Sequence, residues 1–427
     1  VPEQPSRRLI TAPRHDTARK ISPDEKRHVP PGEKQAHSAL FFEAENQGLR
    51  KQFNMQMTRF TEGLGVTLLA LLWSTYSVAQ TFENKQGGSV RFYGQASPSY
   101  LSFDDGEDTT ANLTDNSNSN TRLGFVISQP TSGGDLVLTF ETGLGFRQSV
   151  AVSQDYKPQA LDWQRTALRR FEAAYTADFG TVAIGQGFMA TDNVATLDAS
   201  DTALVLSVGV SDASFAFRET SGELSNVRII DAFKDFDGSR LFRIRYDTPV
   251  YAGFSAAASY GRNILAKNDN TDYYDIALRW FRTLGEFELA AAAGYASASK
   301  GLAEVDDDKS KSQRYSGSFS MLHTPTGLNL SASSGTDPDT GTYGFVRAGW
   351  KSDLIAPGPS AFAISYYDGN DLAVENSSSE GVGFAVVQAF TEHDLELYFG
   401  YRSYSYDDGA ANYKDASSVF SGARYKF

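Results

Sequence analysis

Cysteine is absent from the 427 residues. That excludes a disulfide framework, a thiol nucleophile and a thiolate metal site. Histidine is scarce, with 5 copies, and past residue 80 only His323 and His393 remain. Two isolated imidazoles supply neither a Ser-His-Asp set nor metal-ligand spacing. Positive charge is in deficit: 39 Lys+Arg face 52 Asp+Glu, for a net charge of −13. A nucleic-acid partner needs a basic face, so none is expected. Beyond the N-terminal region no run of eighteen apolar residues occurs, so no helix is long enough to span a bilayer. No Gly-rich phosphate loop sits between a strand and a helix. The acidic runs DDGED (104–108) and DDDKS (306–310) read as solvated loops, and Asp235-Phe236-Asp237-Gly238 lacks the spacing of a calcium loop. No metal, cofactor or enzymatic activity is expected.

Aromatic residues are abundant, with Phe 29 and Tyr 21 against Trp 4. Such enrichment suits strands and membrane interfaces. Residues 1–54 are rich in Pro, Arg, Lys, Glu and His without an apolar period, and are expected to be disordered. Met55, Met57 and Arg59 then lead into an apolar run, Gly63–Tyr76, and the small-x-small site Ser77-Val78-Ala79. Together 55–79 has the layout of a secretory signal peptide, with the mature chain starting near Gln80. A leader belongs at an N-terminus, so 1–54 reads as a misassigned start. From Gln80 onward the chain is more acidic still.

From Gly88 the pattern alternates at period two, the mark of strands with two unlike faces. Val90 and Phe92 oppose Arg91, Tyr93 and Gln95; Leu136, Leu138 and Phe140 oppose Thr139 and Glu141. Strands are expected at 89–103, 120–129, 135–146, 166–178, 181–189, 240–249, 253–264, 271–282, 286–299, 312–324, 327–335, 342–353, 360–369, 380–391, 393–407 and 416–427, with a polar loop from 104 to 119. Short turns alternate with long polar loops, and the strand count is even. That is the layout of a transmembrane antiparallel β-barrel of sixteen strands. Only a closed barrel leaves no unpaired edge in lipid. A secreted all-β sandwich or propeller is the soluble alternative. Aromatics near strand ends (Tyr246, Tyr260, Trp280, Tyr295, Tyr401) and the mixture of charge with Gly, Ala and Ser on the other face count against it.

One segment breaks the rhythm. Residues 190–239 form an insert whose middle, Ala203–Phe217, is apolar and β-branched, so it should pack against something. It is expected to fold into the lumen as a constriction loop.

SVRFYGQ (89–95), NSNSNTRLGF (116–125), ADFGTVAIGQG (177–187), FRIRYDTPVYAGFSAAASYG (242–261) and the terminal GARYKF (422–427) resemble the general porins of Gram-negative outer membranes. The resemblance implies an outer-membrane location reached through the periplasm, and passive diffusion of small hydrophilic solutes and ions. It also implies a homotrimer surrounded by outer-membrane lipid, and a last strand read by the barrel-assembly machinery through Tyr425 and Phe427. Alternation and the resemblance place Arg91, Arg122, Arg170, Arg243, Arg245 and Arg424 on the lumen face as a basic wall. Asp198, Asp201 and Asp212, near the apolar anchor of the insert, are the candidates for an opposing acidic loop. The alternative for each arginine is pairing with a neighbour such as Glu141, Glu172 or Asp247. Two departures from the family stand out. Gln186 takes the place of a cation, and the Pro-Glu-Phe-Gly-Gly signature of the constriction loop is missing. A substrate-specific channel or a surface-receptor barrel is the second functional reading. Lumen-phase aromatics (Tyr93, Tyr273, Tyr343, Phe345, Tyr398, Tyr404) would favour a sugar track if they formed a ladder. The net charge and the acidic loops 104–108 and 306–308 point to weak cation selectivity.

Overall fold

The computed structural model describes residues 81–300 and 311–427. The expected disordered segment, the signal peptide and the acidic run 306–308 lie outside the described residues. After a short β1 (Thr81–Glu83), the chain forms β2 (Ser89–Ala96), β3 (Pro98–Asp104), β4 (Thr109–Asp115) and β5 (Arg122–Thr131). β6 (Gly134–Gly143), β7 (Leu168–Ala177) and β8 (Gly180–Phe188) lead to the insert, which contains β9 (Ala216–Arg218) and β10 (Leu224–Arg228). Then come β11 (Arg240–Asp247), β12 (Phe254–Arg262), β13 (Thr271–Leu284), β14 (Phe287–Lys300), β15 (Lys311–His323) and β16 (Leu328–Asp337). β17 (Gly341–Ile355), β18 (Gly358–Asn370), β19 (Ser378–Phe390), β20 (Leu395–Asp407) and β21 (Ala416–Lys426) complete the series. β2 with β3, and β4 with β5, each make one bent staple of the wall. Every neighbour pairs antiparallel, and the result is a closed barrel of sixteen strands.

Half of the polar stretch 104–119 is strand, not loop. Thr109–Asp115 pairs with Pro98–Asp104 in full register. Its Thr and Asn residues read as loop-forming, yet they alternate: Asn112 and Thr114 are buried while Leu113 is exposed on the outside.

The barrel closes where β21 pairs with β3 and with the end of β2, and the last residue extends that seam. Gly94 donates its N–H to the Phe427 carbonyl at 2.9 Å, and Phe427 donates back to Gly94 at 3.1 Å. The ring lies across Gly94, where any Cβ would stand 2.6 Å from Phe427 Cζ. β1 pairs with the remaining length of β2 through Thr81↔Arg91 and Glu83↔Ser89. Deleting Phe427 removes both hydrogen bonds, an expected loss of about 2 kcal/mol at the seam. The check is the fraction of refolded protein showing heat-modifiable gel mobility, which should fall.

The two faces of the wall are chemically opposite. Phe171, Ile276 and Ile364 are 66%, 53% and 57% exposed on the outer face, where lipid replaces water as the solvent. Their sequence neighbours Glu172, Asp275, Ala277, Ala363 and Ser365 point inward and are buried.

What buries them on one side of the lumen is the insert. Its first leg runs along the inner wall. Ala190 donates to Ser259 Oγ (2.9 Å), Thr191 to Asp275 (2.7 Å), Ser318 Oγ to the Val194 carbonyl (2.5 Å) and Ser333 Oγ to the Ala195 carbonyl (2.6 Å). Its apolar middle then packs on β17–β21 and β3. Val205, Leu206, Phe215 and Phe217 form one cluster with Phe103, Phe345, Tyr367, Tyr398, Tyr404 and Phe420. Phe103 and Phe215 stack with centroids 4.3 Å apart. The return leg docks Phe233 on Tyr367 and Phe236 on Tyr343. Inward glycines make room for it: a Cβ on Gly383 would stand 2.3 Å from Leu206 Cδ1, and one on Gly400 2.5 Å from Val205 Cγ2.

Candidate functional site

Opposite this apolar packing, β5–β8 and β11 carry the ionic part of the wall. Glu141 on β6 is ion-paired with two cations, Arg169 Nε at 2.5 Å and Arg122 Nε at 3.4 Å, and accepts a hydrogen bond from the Tyr93 hydroxyl at 3.0 Å. Glu172 on β7 likewise holds two, Arg170 at 2.5 Å and Arg243. Four guanidiniums share two carboxylates, so the cluster carries excess positive charge. Both glutamates are buried. They would be costly to keep ionised without these partners.

Alternation alone hides one of the four. Phe171 faces outward, which puts Arg170 and Glu172 inward and Arg169 outward. The register slips between Glu141 and Thr142, so that Glu141 faces Arg170 and Thr142 faces Leu168. This β-bulge leaves Arg169 unpaired and turns its side chain inward as well, where it reaches Glu141 and also Asn120 Oδ1 at 2.8 Å. No sequence signal beyond the RR dipeptide points to it.

The other expected arginines are all on the inner face, with different partners. Arg91 lies over the Tyr93 ring at 5.4 Å. Arg424 is paired with Glu396 (2.5 Å) and donates to Ser119 Oγ (3.0 Å), the same hydroxyl that accepts from Gln95 (2.9 Å). Arg245 makes a bidentate pair with Asp247 (2.7 and 2.9 Å) and donates to the Met189 carbonyl (2.8 Å). Arg243 also donates to the carbonyls of Phe188 and Gly185. These last two therefore fix the start of the insert as well as carrying charge. Arg279, not anticipated, does the same for the Ala190 and Asp192 carbonyls at 2.6 and 2.7 Å. Phe188 is flanked by Arg170 and Arg240, each 5.5 Å from its ring.

The three acids expected to oppose this cluster sit on the other side of the lumen. Asp198 pairs with Arg347 of β17 at 2.9 Å and accepts from Ser200 and Ala203. Asp201 pairs with Lys351 of the same strand at 2.9 Å. Asp212 is 2% exposed, and burial pushes its carboxyl above the usual range, with Arg402 of β20 pulling the other way. The physical reason is the apolar anchor beside them: it settles on β17–β20 and carries its flanking acids onto the cations of that wall. The acid that does approach the basic side is Asp192, in the field of Arg240, Arg245 and Arg279, with its pKa raised to about 6 by burial.

Gln186 is buried and makes no contact with the clustered carboxylates. Its cross-strand neighbours are Phe171 and Phe242, both exposed on the outer face, and its amide donates to the Arg240 carbonyl at 3.3 Å. Five of the lumen-phase aromatics that would have made a sugar track are engaged elsewhere. Tyr343, Phe345, Tyr398 and Tyr404 are buried under the insert, and Tyr93 is engaged by Glu141. Among the described residues no group of three His, Cys, Asp or Glu is placed to hold a metal ion.

The sequence matches the model of the family described as "Gram-negative porin" over residues 65–427. No curated protein matches it in sequence. Among solved structures, the anion-selective porin from Comamonas acidovorans superposes with a TM-score of 0.53 at 16% identity, covering 80% of this chain and 100% of that one. OprB of Pseudomonas putida gives 0.52 at 10% identity, covering 80% and 94%. Salmonella typhi OmpF, in complex with daunomycin, gives 0.51 at 12% identity, covering 82% and 100%. At such identities these likenesses speak for the fold, and the family match speaks for the sequence. The chain is a member of the Gram-negative porin family, the outer-membrane channels.

Proposed function

We propose that the protein is a passive diffusion channel for small hydrophilic solutes, narrowed by residues 190–239 and preferring anions. The observation that carries the preference is the cluster in which Arg122, Arg169, Arg170 and Arg243 share only Glu141 and Glu172. Pores select by the charge on the wall where the water path is narrow. The insert lies along β12–β16 with its first leg and packs on β17–β21 with its apolar middle, which leaves the water path beside this cluster on β5–β8. Net charge argues for cations, but much of it sits in loops at the mouth. There, two of the acids are already neutralised: Asp105 by Arg218 at 2.8 Å and Glu107 by Lys414 at 2.6 Å. A charge in a narrow, low-dielectric passage acts more strongly than one in open solvent.

Family membership carries the expectation of a homotrimer, assembled into outer-membrane lipid through the strand ending in Tyr425 and Phe427. Export with a leader ending at Ala79 belongs to the same reading, and the N-terminal residue of the purified protein tests it. The channel itself is tested in planar bilayers. Stepwise conductance increments and a reversal potential favouring chloride over potassium, several-fold, are expected in a potassium chloride gradient. A cation-selective reversal potential would overturn the assignment of the cluster as the selective element.

A further inference from the structure

Phe188 ends β8 and Arg240 opens β11, and the two stand directly opposite each other in the ladder. Between them the chain leaves the wall to form the insert. Most arginines around that root are committed. Arg243 and Arg245 hold the carbonyls of Gly185, Phe188 and Met189, and Arg279 holds those of Ala190 and Asp192. Arg170 turns both Nε and Nη2 onto one oxygen of Glu172, at 2.7 and 2.5 Å. Arg240 differs. Its guanidinium lies 5.5 Å from the Phe188 ring and makes no hydrogen bond or ion pair with any described residue.

Alternation from Phe242, which is on the outer face, would turn Arg240 outward as well. The side chain instead lies in the field of Arg122, Arg169, Glu141 and Asp192, all of them groups of the lumen. It is half-buried, so water reaches it. A guanidinium carries five N–H donors in one plane. Contact with the ring steadies that plane and leaves its fork open. The neighbouring acids do not close it. Glu141 and Glu172 already serve Arg122, Arg169, Arg170 and Arg243. Asp192 is outside ion-pair distance and accepts from Asn193 Nδ2 at 2.7 Å.

An open fork selects by shape as well as by charge. A carboxylate accepts two parallel N–H···O bonds from it, whereas a halide, being a sphere, gains nothing from the second arm. We infer that Arg240 is the docking point for the carboxylate of small organic acids passing through the channel, with Phe188 as its support. The inference rests on reading the wall beside the arginine cluster as the water path, and it adds the class of solute.

Acetate and bromide, both monovalent, supply the comparison. Sodium acetate added on both sides of a planar bilayer in potassium chloride should lower the single-channel current, and the lowering should saturate. Sodium bromide at the same concentrations should not produce it. Arg240→Lys keeps the charge and loses the fork. It should raise the acetate concentration for half effect about tenfold, the gap between a bidentate and a single charge-assisted bond. Phe188→Leu removes the support without touching a charge and should raise it about threefold. Heat-modifiable mobility shows that each barrel is folded, and the second variant carries the test should the first not fold. A current that falls in proportion to acetate without saturating would overturn the inference. Equal effects of acetate and bromide, or a lysine variant with the parent's half effect, would do the same. A cation-selective reversal potential together with saturating acetate would sink the anion preference alone and leave the docking point standing.

Discussion

Gly383→Leu should produce a channel of larger conductance in a barrel that still folds. The glycine faces inward, and an added Cβ would meet Leu206 Cδ1 at 2.3 Å and Ser365 Oγ at 2.7 Å. Leu206 has no room to yield, because it is 1% exposed inside the apolar cluster. Overpacking of a filled core costs about 1–3 kcal/mol. Here the strain has an outlet that ordinary cores lack: residues 203–217 can lift off the wall into water. The strand ladder is untouched, since it is made by backbone groups of β18, β19 and β20. Single-channel conductance is therefore expected to rise, to roughly double that of the parent, as residues 203–217 leave the wall and widen the passage. Heat-modifiable mobility should be unchanged. Gly344→Leu is the control, because a side chain there meets nothing within 4 Å. If Gly383→Leu conducts like the parent, residues 203–217 are not what narrows the channel.

The second large effect lies at the opposite wall. Replacing Arg122 and Arg169 together by glutamine should turn the reversal potential toward cations. Glu141 would keep only the Tyr93 hydroxyl at 3.0 Å and would face the water path as an uncompensated carboxylate. Glu141→Gln should do the reverse and raise the preference for anions. Both shifts should shrink as salt rises, since at 1 M the screening length falls to about 3 Å. Removing partners from a buried carboxylate destabilises, typically by about 3–5 kcal/mol, unless water reaches it. Lumen water is close at hand, so the folded fraction should suffer less than that range implies. A double variant that keeps the parent's reversal potential would show that selectivity resides elsewhere.

The barrel was legible because its physics is local. Lipid outside and water inside impose a period of two on every strand, and Phe171 beside Glu172, or Ile364 beside Ser365, reports both faces in adjacent letters. β4 escaped because Thr, Asn and Asp serve turns and inward faces alike. The site was less legible, for two reasons. A bulge such as that at Arg169 breaks the period without changing the composition. The placement of Asp198, Asp201 and Asp212 depends on which wall the insert settles on. That choice is written in distant positions, the cluster of Tyr367, Tyr404 and Phe420 and the bare surface of Gly383, not in the acids themselves.

The hairpin β9–β10 does not stay inside. Arg218 grips Asp105 with two hydrogen bonds, at 3.0 and 2.8 Å, and its carbonyl accepts from Lys414, while Thr220 donates to the Asn412 carbonyl. The segment that packs against the inner wall is thus tied to two wall loops, 105–108 and 408–415. Any force applied to those loops is therefore applied to one end of the same strap, and ion current through a single molecule would register it.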